Sequence, residues 1–223
     1  MGDKIEVNPA RRYDTLMAYS DFTLAKVKSA FGLTTQESGS LFASIPAVSP
    51  SSALSQTLTE FTTLATSIGT EKARSEFLIA PILAEVRRQM HYRIALFSGV
   101  EFNVDAARGL QGFCDFILSA STEQLYIEAP VMTVVEAKRE DIIGGLGQCI
   151  ATMVAAQIFN AEREQPIPRI YGAVTSGTNW RFLMLEGTTV WIDSPEYYIS
   201  QIGQILGILM QPFQPDLVSS ATP

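Results

Sequence analysis

Between residues 142 and 159 the chain carries no charged side chain. A stretch of that length and apolarity has two resting places, a bilayer or the inside of a large fold. Gln148, Thr152, Gln157 and three glycines interrupt it, and no Lys/Arg cluster flanks it to set an orientation. A helix over 142–161 buried in a protein core is therefore expected, with no membrane partner. A chain of 223 residues, 47% apolar and 17% charged, can bury such a helix without disulfides or structural metals.

The net charge of −7 argues against a surface coated in positive potential for tight, nonspecific nucleic-acid binding, but leaves room for a small basic groove. Cys114 and Cys149 lie in apolar surroundings without metal-ligand or CxxC spacing, so reduced thiols packed in a cytoplasmic core are expected. The first residues, Met-Gly-Asp-Lys-Ile-Glu, hold no apolar run, and export is not expected.

Helical spacing of Tyr13, Leu16, Met17, Leu24, Val27 and Phe31 predicts a first helix, with Gly32 at its C-terminal cap. A Ser/Thr/Pro-rich stretch over 34–52 reads as a connector. Ser49-Pro50 then opens a second helix with Leu54, Leu58, Phe61, Ala65 and Ile68 on one face. Residues 1–69 thus read as a helical extension. From residue 70 a charged helix start runs into Phe77, Leu78, Ile82, Leu83 and Val86, with a kink expected at Pro81. Three strand-like runs follow at 94–104, 113–119 and 132–138, rich in Val, Ile and Phe. After the uncharged helix come strands at 169–175, 180–185 and 189–192, and a helical period over 197–210. The division is a domain over 70–211 and a flexible tail over 212–223. The order αβββαβ, with additions, predicts an α/β fold: a mixed sheet flanked by helices on both faces.

The third strand ends in Val134-Val135-Glu136-Ala137-Lys138, where two charges follow directly on an apolar run. Side chains alternate along a strand, so Glu136 and Lys138 share a face roughly 7 Å apart while Ala137 points the other way. The preceding strand buries Asp115 inside Gly112-Phe113-Cys114-Asp115-Phe116-Ile117-Leu118, where an unpartnered charge would be strongly unfavourable. If the two strands are neighbours, Asp115 and Glu136 can converge on one hard cation, with the Ala137 backbone carbonyl as a third oxygen.

An Asp in one strand, Glu-X-Lys at the end of the next and a helix after it resemble the PD-(D/E)XK nuclease superfamily, the restriction-endonuclease-like fold. Asp115, Glu136 and Lys138 are the matching positions, and the resemblance covers roughly residues 70–192. Glu76, early in the helix before the sheet, resembles the acidic residue that many of these nucleases place near the metal. Gln148 resembles the glutamine that the following helix carries in the RecB-like branch. Cys114 stands where the motif name has Pro, and Thr152 where a Gln-X-X-X-Tyr variant would have Tyr.

The resemblance implies Mg²⁺-dependent hydrolysis of a nucleic acid, DNA foremost, with Mn²⁺ as a substitute. Asp115, Glu136, the Ala137 carbonyl and Glu76 would hold metal. Lys138 would orient or activate the attacking water or stabilise developing charge, and Gln148 would align the phosphate or Lys138. The extension over 1–69 is expected to serve substrate choice or self-association as a homodimer. Glu85 competes with Glu76 for the role of helix acid. Arg87, Arg88 and Arg93 form the best local basic cluster, with His91, the single histidine, read as surface or structural. The rival reading keeps the fold but makes the acidic protein a catalytically inactive module that acts through a protein partner.

Overall fold

The computed structural model describes residues 17–214. Tyr13 and Leu16, expected in the first helix, and the tail beyond 214 lie outside the described residues. Helix α1 (Leu24–Phe31) begins later than the periodicity predicts. Thr23 caps it by accepting the Lys26 N–H, and Gly32 ends it at φ +63°. Met17 therefore precedes the helix, and Tyr19 sits in a 3₁₀ turn (Tyr19–Asp21) with its hydroxyl donated to the Phe102 carbonyl at 2.6 Å.

The expected connector contains a strand. β1 (Thr34–Ser38) pairs in parallel with β7 (Thr189–Asp193) at one edge of the sheet. An edge strand buries little, so Thr-Thr-Gln-Glu-Ser can form one without the apolar alternation that marks a strand in a sequence. Helix α2 (Ser52–Ile68) follows, capped by Ser51 and ended by Gly69 at φ +68°. Leu54, Leu58 and Ala65 are buried as the spacing predicts, whereas Ile68 is 48% exposed.

The helix before the sheet passes through Pro81 without breaking. It comprises α3 (Glu71–Arg74), a π turn (Ser75–Ile79) and α4 (Ala80–Gln89). Pro81 has no N–H and its ring crowds the carbonyl four residues back. Widening the preceding turn accommodates that defect, and the kink expected there takes the form of a π bulge.

Strands β2 (Ala95–Glu101), β3 (Phe113–Ser119) and β4 (Val131–Ala137) run antiparallel in turn, and α5 (Ile142–Glu162) carries the chain over to β5 (Arg169–Thr175), parallel to β4. β6 (Asn179–Glu186) and β7 complete a mixed eight-stranded sheet of order β1-β7-β6-β5-β4-β3-β2, with β8 (Tyr197–Tyr198) on β6. The helical period over 197–210 thus divides: Tyr197 and Tyr198 pair with Trp180 and Asn179, and α6 starts only at Ile202 (Ile202–Met210).

One hydrophobic cluster joins α1 and α5 to one face of the sheet; a second joins α2, the π turn, α4 and α6 to the other. Helix α5 is the one helix among the described residues long and apolar enough to cross a bilayer, and 72% of its apolar window is buried in the fold. Its glycines explain the depth. A Cβ on Gly147 would come 2.3 Å from the Phe22 carbonyl oxygen, so α1 and α5 meet backbone to backbone there. Cys114 and Cys149 are both free and buried on this face. Burial pushes the Cys114 thiol up to about 12 and Cys149 well above its usual range, which leaves both protonated and unreactive.

Candidate functional site

β3 and β4 are adjacent and antiparallel, with Phe116 opposite Val135 as the last backbone pair at this end. One residue further, the strands part. The Ala137 N–H is taken by Asp115 Oδ2 at 2.8 Å, so a side-chain carboxylate occupies the place of a ladder bond. Asp115 and Glu136 stand next in register, and their carboxyls are close enough to shift each other's protonation. Ala137 turns its methyl into the opposite cluster, as strand alternation requires.

Lys138 Nζ lies 2.7 Å from Glu136 Oε1 and donates to Gln148 Oε1 at 3.1 Å. Gln148 comes from α5, and Gly145 lets that helix approach: a Cβ there would sit 2.6 Å from Val174 Cγ1 and 3.0 Å from Lys138 Cγ. The uncharged helix thus closes over the stem of the site lysine, leaving the ammonium between a carboxylate and an amide. Asp115, Glu136, Lys138 and Gln148 are brought together in one constellation.

The helix acids divide between the cleft and the helix packing. Glu76 lines a cleft of about 290 Å³ together with Asp115, Ser98 and Glu71, but it is exposed and paired with Lys72 at 2.7 Å, an i,i+4 surface pair. Glu71 lines the same cleft and is close enough to act electrostatically on Lys138. In the sequence Glu71 follows the helix cap Thr70 and reads as an ordinary acidic first turn. Only the placement of α3 against the sheet shows that it looks toward the lysine.

Glu85 is removed from the competition. It is buried, and its carboxylate accepts from the Ser51 N–H and hydroxyl, from Arg88 and from Gln89, tying α4 to the start of α2. Burial alone would raise its pKa, but these donors hold it down to about 2. Glu85→Gln should cost about 2 kcal/mol of stability near neutral pH, because an amide nitrogen then faces donors. The depressed carboxylate stabilises the fold above its unfolded value near 4.5, and that contribution is lost as pH falls toward 2. Chemical denaturation of both proteins at pH 7 and pH 3 should show the difference shrinking in acid.

The electrostatics of the site centre on two like charges withdrawn from water. Burial raises Asp115, partly offset by the Ala137 N–H and by Lys138. Glu136, with a side chain only 5% exposed, is pushed up to about 8 by burial first and by the neighbouring Asp115 second. Burial works against the Lys138 charge, yet Glu136 above all holds its ammonium above the usual lysine range. The carboxyls form a dyad in which burial and mutual repulsion favour the protonated form, with Lys138 opposing them.

A hard divalent cation suits this donor set. Two carboxyls adjacent in register, one of them on an open cleft, and a backbone carbonyl at the strand end form an all-oxygen group. Among the described residues no three His, Cys, Asp or Glu side chains come together in ligating geometry, so water would complete such a shell. Neither a scan against protein-family models nor a search of curated proteins finds a match to this chain.

Proposed function

We propose that the protein is a Mg²⁺-dependent nuclease of the PD-(D/E)XK type, hydrolysing phosphodiester bonds in DNA in the cytoplasm. The observation that carries this reading is the meeting of Asp115 and Glu136 where β3 and β4 part, with Lys138 on Glu136 and Gln148 from α5. The restriction-endonuclease-like core is the finer reading of the αβββαβ order seen from α3 to β5.

Asp115, Glu136 and the Ala137 carbonyl would hold the ion, with Glu76 and Glu71 on the cleft wall. Mg²⁺, or Mn²⁺ in its place, supplies Lewis-acid stabilisation of charge on the phosphoryl oxygens. The protein's own groups then have separable tasks. Lys138 is held protonated, so it serves as a fixed cation toward the phosphoryl group rather than as a base. Gln148 accepts from Lys138 and fixes the direction of its ammonium.

Purified protein should cut DNA with Mg²⁺ or Mn²⁺ and leave it intact with chelator; RNA in parallel reads the choice of nucleic acid. The second reading is the inactive binding module, in which Asp115 and Glu136, with no third carboxylate clustered on them among the described residues, hold no ion. A protein that takes up no divalent ion by calorimetry and cuts neither substrate would establish that alternative.

A further inference from the structure

A second concavity, about 530 Å³, lies between α2 and α4, on the face of the sheet that also carries the cleft lined by Asp115. Leu54 and Thr57 of α2 form one wall, and Arg87 and Arg88 of α4 the other. Leu96 of β2 lies at its base, and Ser98, two residues on along the same strand, lines the cleft of Asp115. Residues two apart on a strand share a face and are separated by roughly 7 Å, so groove and cleft open on the same face of the sheet, side by side along β2.

The groove ends at an aromatic platform of unusual construction. α4 closes with the Tyr92 N–H donated to the Arg87 carbonyl and the His91 N–H to the Arg88 carbonyl, a cap that normally uses glycine for its left-handed residue. Here His91 and Tyr92 both take the left-handed conformation, at φ +54° and +58°. Backbone strain at two successive bulky residues persists where the surroundings impose it, and such places concentrate at binding sites. The result is a Tyr92 ring 56% exposed, with the Arg87 guanidinium 5.0 Å from its centroid and Arg87 Nε anchored on the Ile94 carbonyl.

The charge here runs against that of the molecule. In a chain of net −7, Arg87 and Arg88 both line this groove, Arg93 follows shortly after α4 in the sequence, and the acid lining the groove, Glu85, is buried and bound to Arg88. Fixed cations beside an open aromatic face are complementary to a polyanion with flat bases.

Resting on the nuclease reading, we propose that this groove seats an unpaired stretch of the substrate strand, one base stacked on Tyr92 and a flanking phosphate on Arg87, and leads it toward the cleft that Asp115 lines. The substrate class is then nucleic acid with a single-stranded segment rather than uninterrupted duplex. An unpaired base offers its face to Tyr92; a paired base does not.

Fluorescence anisotropy with a labelled single-stranded oligonucleotide and with the same sequence as duplex, in chelator and again with Ca²⁺, tests this without cleavage. Wild type should bind the single strand more tightly than the duplex. Tyr92→Ala should weaken single-strand binding by about tenfold, and Tyr92→Trp should restore it. Tyr92→Asn removes the ring while suiting the left-handed backbone, so it should lose binding without losing melting temperature. Equal single-strand affinity in folded Tyr92→Asn, an equal loss for duplex, or equally effective competition by an acidic peptide would each overturn the proposal. Those outcomes are separate from failure of the nuclease reading, which is read from Mg²⁺-dependent cleavage by wild type.

Discussion

Lys138→Met should lower Mg²⁺-dependent DNA cleavage by about 10²- to 10³-fold, with the protein still folded and its Mg²⁺ affinity equal or higher. Methionine fills the space of the lysine stem beneath α5 but supplies no cation. Both carboxyls remain, and one positive charge that would compete with a dication is gone. Single-turnover cleavage, calorimetric titration with Mg²⁺ and a thermal melt separate these effects. A folded Lys138→Met that cleaves like wild type would remove Lys138 from the chemistry. Glu136→Ala should instead lose both metal binding and cleavage, and it leaves Lys138 without its 2.7 Å partner, so its folding must be measured alongside.

Without divalent ion, stability should fall as pH rises from about 4.5 toward 8. Glu136 binds its proton more tightly in the folded protein than in the unfolded chain, where its value returns to 4.5. Through that interval the folded state holds the extra proton, and each pH unit shifts the balance toward unfolding by up to about 1.4 kcal/mol. Glu136→Gln cannot titrate and should flatten this component of the profile. Mg²⁺ should stabilise wild type more at pH 8 than at pH 5.5, since at the higher pH it has less bound proton to displace. Urea denaturation across pH, with and without Mg²⁺, gives the comparison. A wild-type profile parallel to that of Glu136→Gln would mean that the dyad does not hold the proton.

The elements legible in the sequence are those whose burial leaves a mark on composition. β3 and β5 are buried among apolar neighbours and coincide with their apolar runs, and α5 follows its uncharged stretch to within a residue. β1 leaves no such mark because its strand is polar and at the edge. Tyr197 and Tyr198 fall into a helical period because Tyr197 is buried on the same side as α6, so its spacing imitates the helix that follows. At the site, Asp115, Glu136, Lys138 and Gln148 were visible as charges and an amide placed where apolar residues belong. Glu71 was not, since an acid in the first turn of a helix is what any helix favours. Nor was the groove at Tyr92: it depends on a helix cap built without glycine, which no local pattern announces.

The pairing of β1 with β7 joins Thr34 to Thr189 and Ser38 to Asp193. On the ribosome, β1 emerges long before its partner, and at about 5–20 residues per second it waits roughly 8–30 seconds for the strand that will complete it. A hydrophobic edge exposed for that interval would invite pairing with other chains. Thr34, Thr35, Gln36 and Glu37 instead offer water-compatible side chains throughout the delay, so the polar composition that hides β1 from a sequence reader also protects the nascent chain from aggregation.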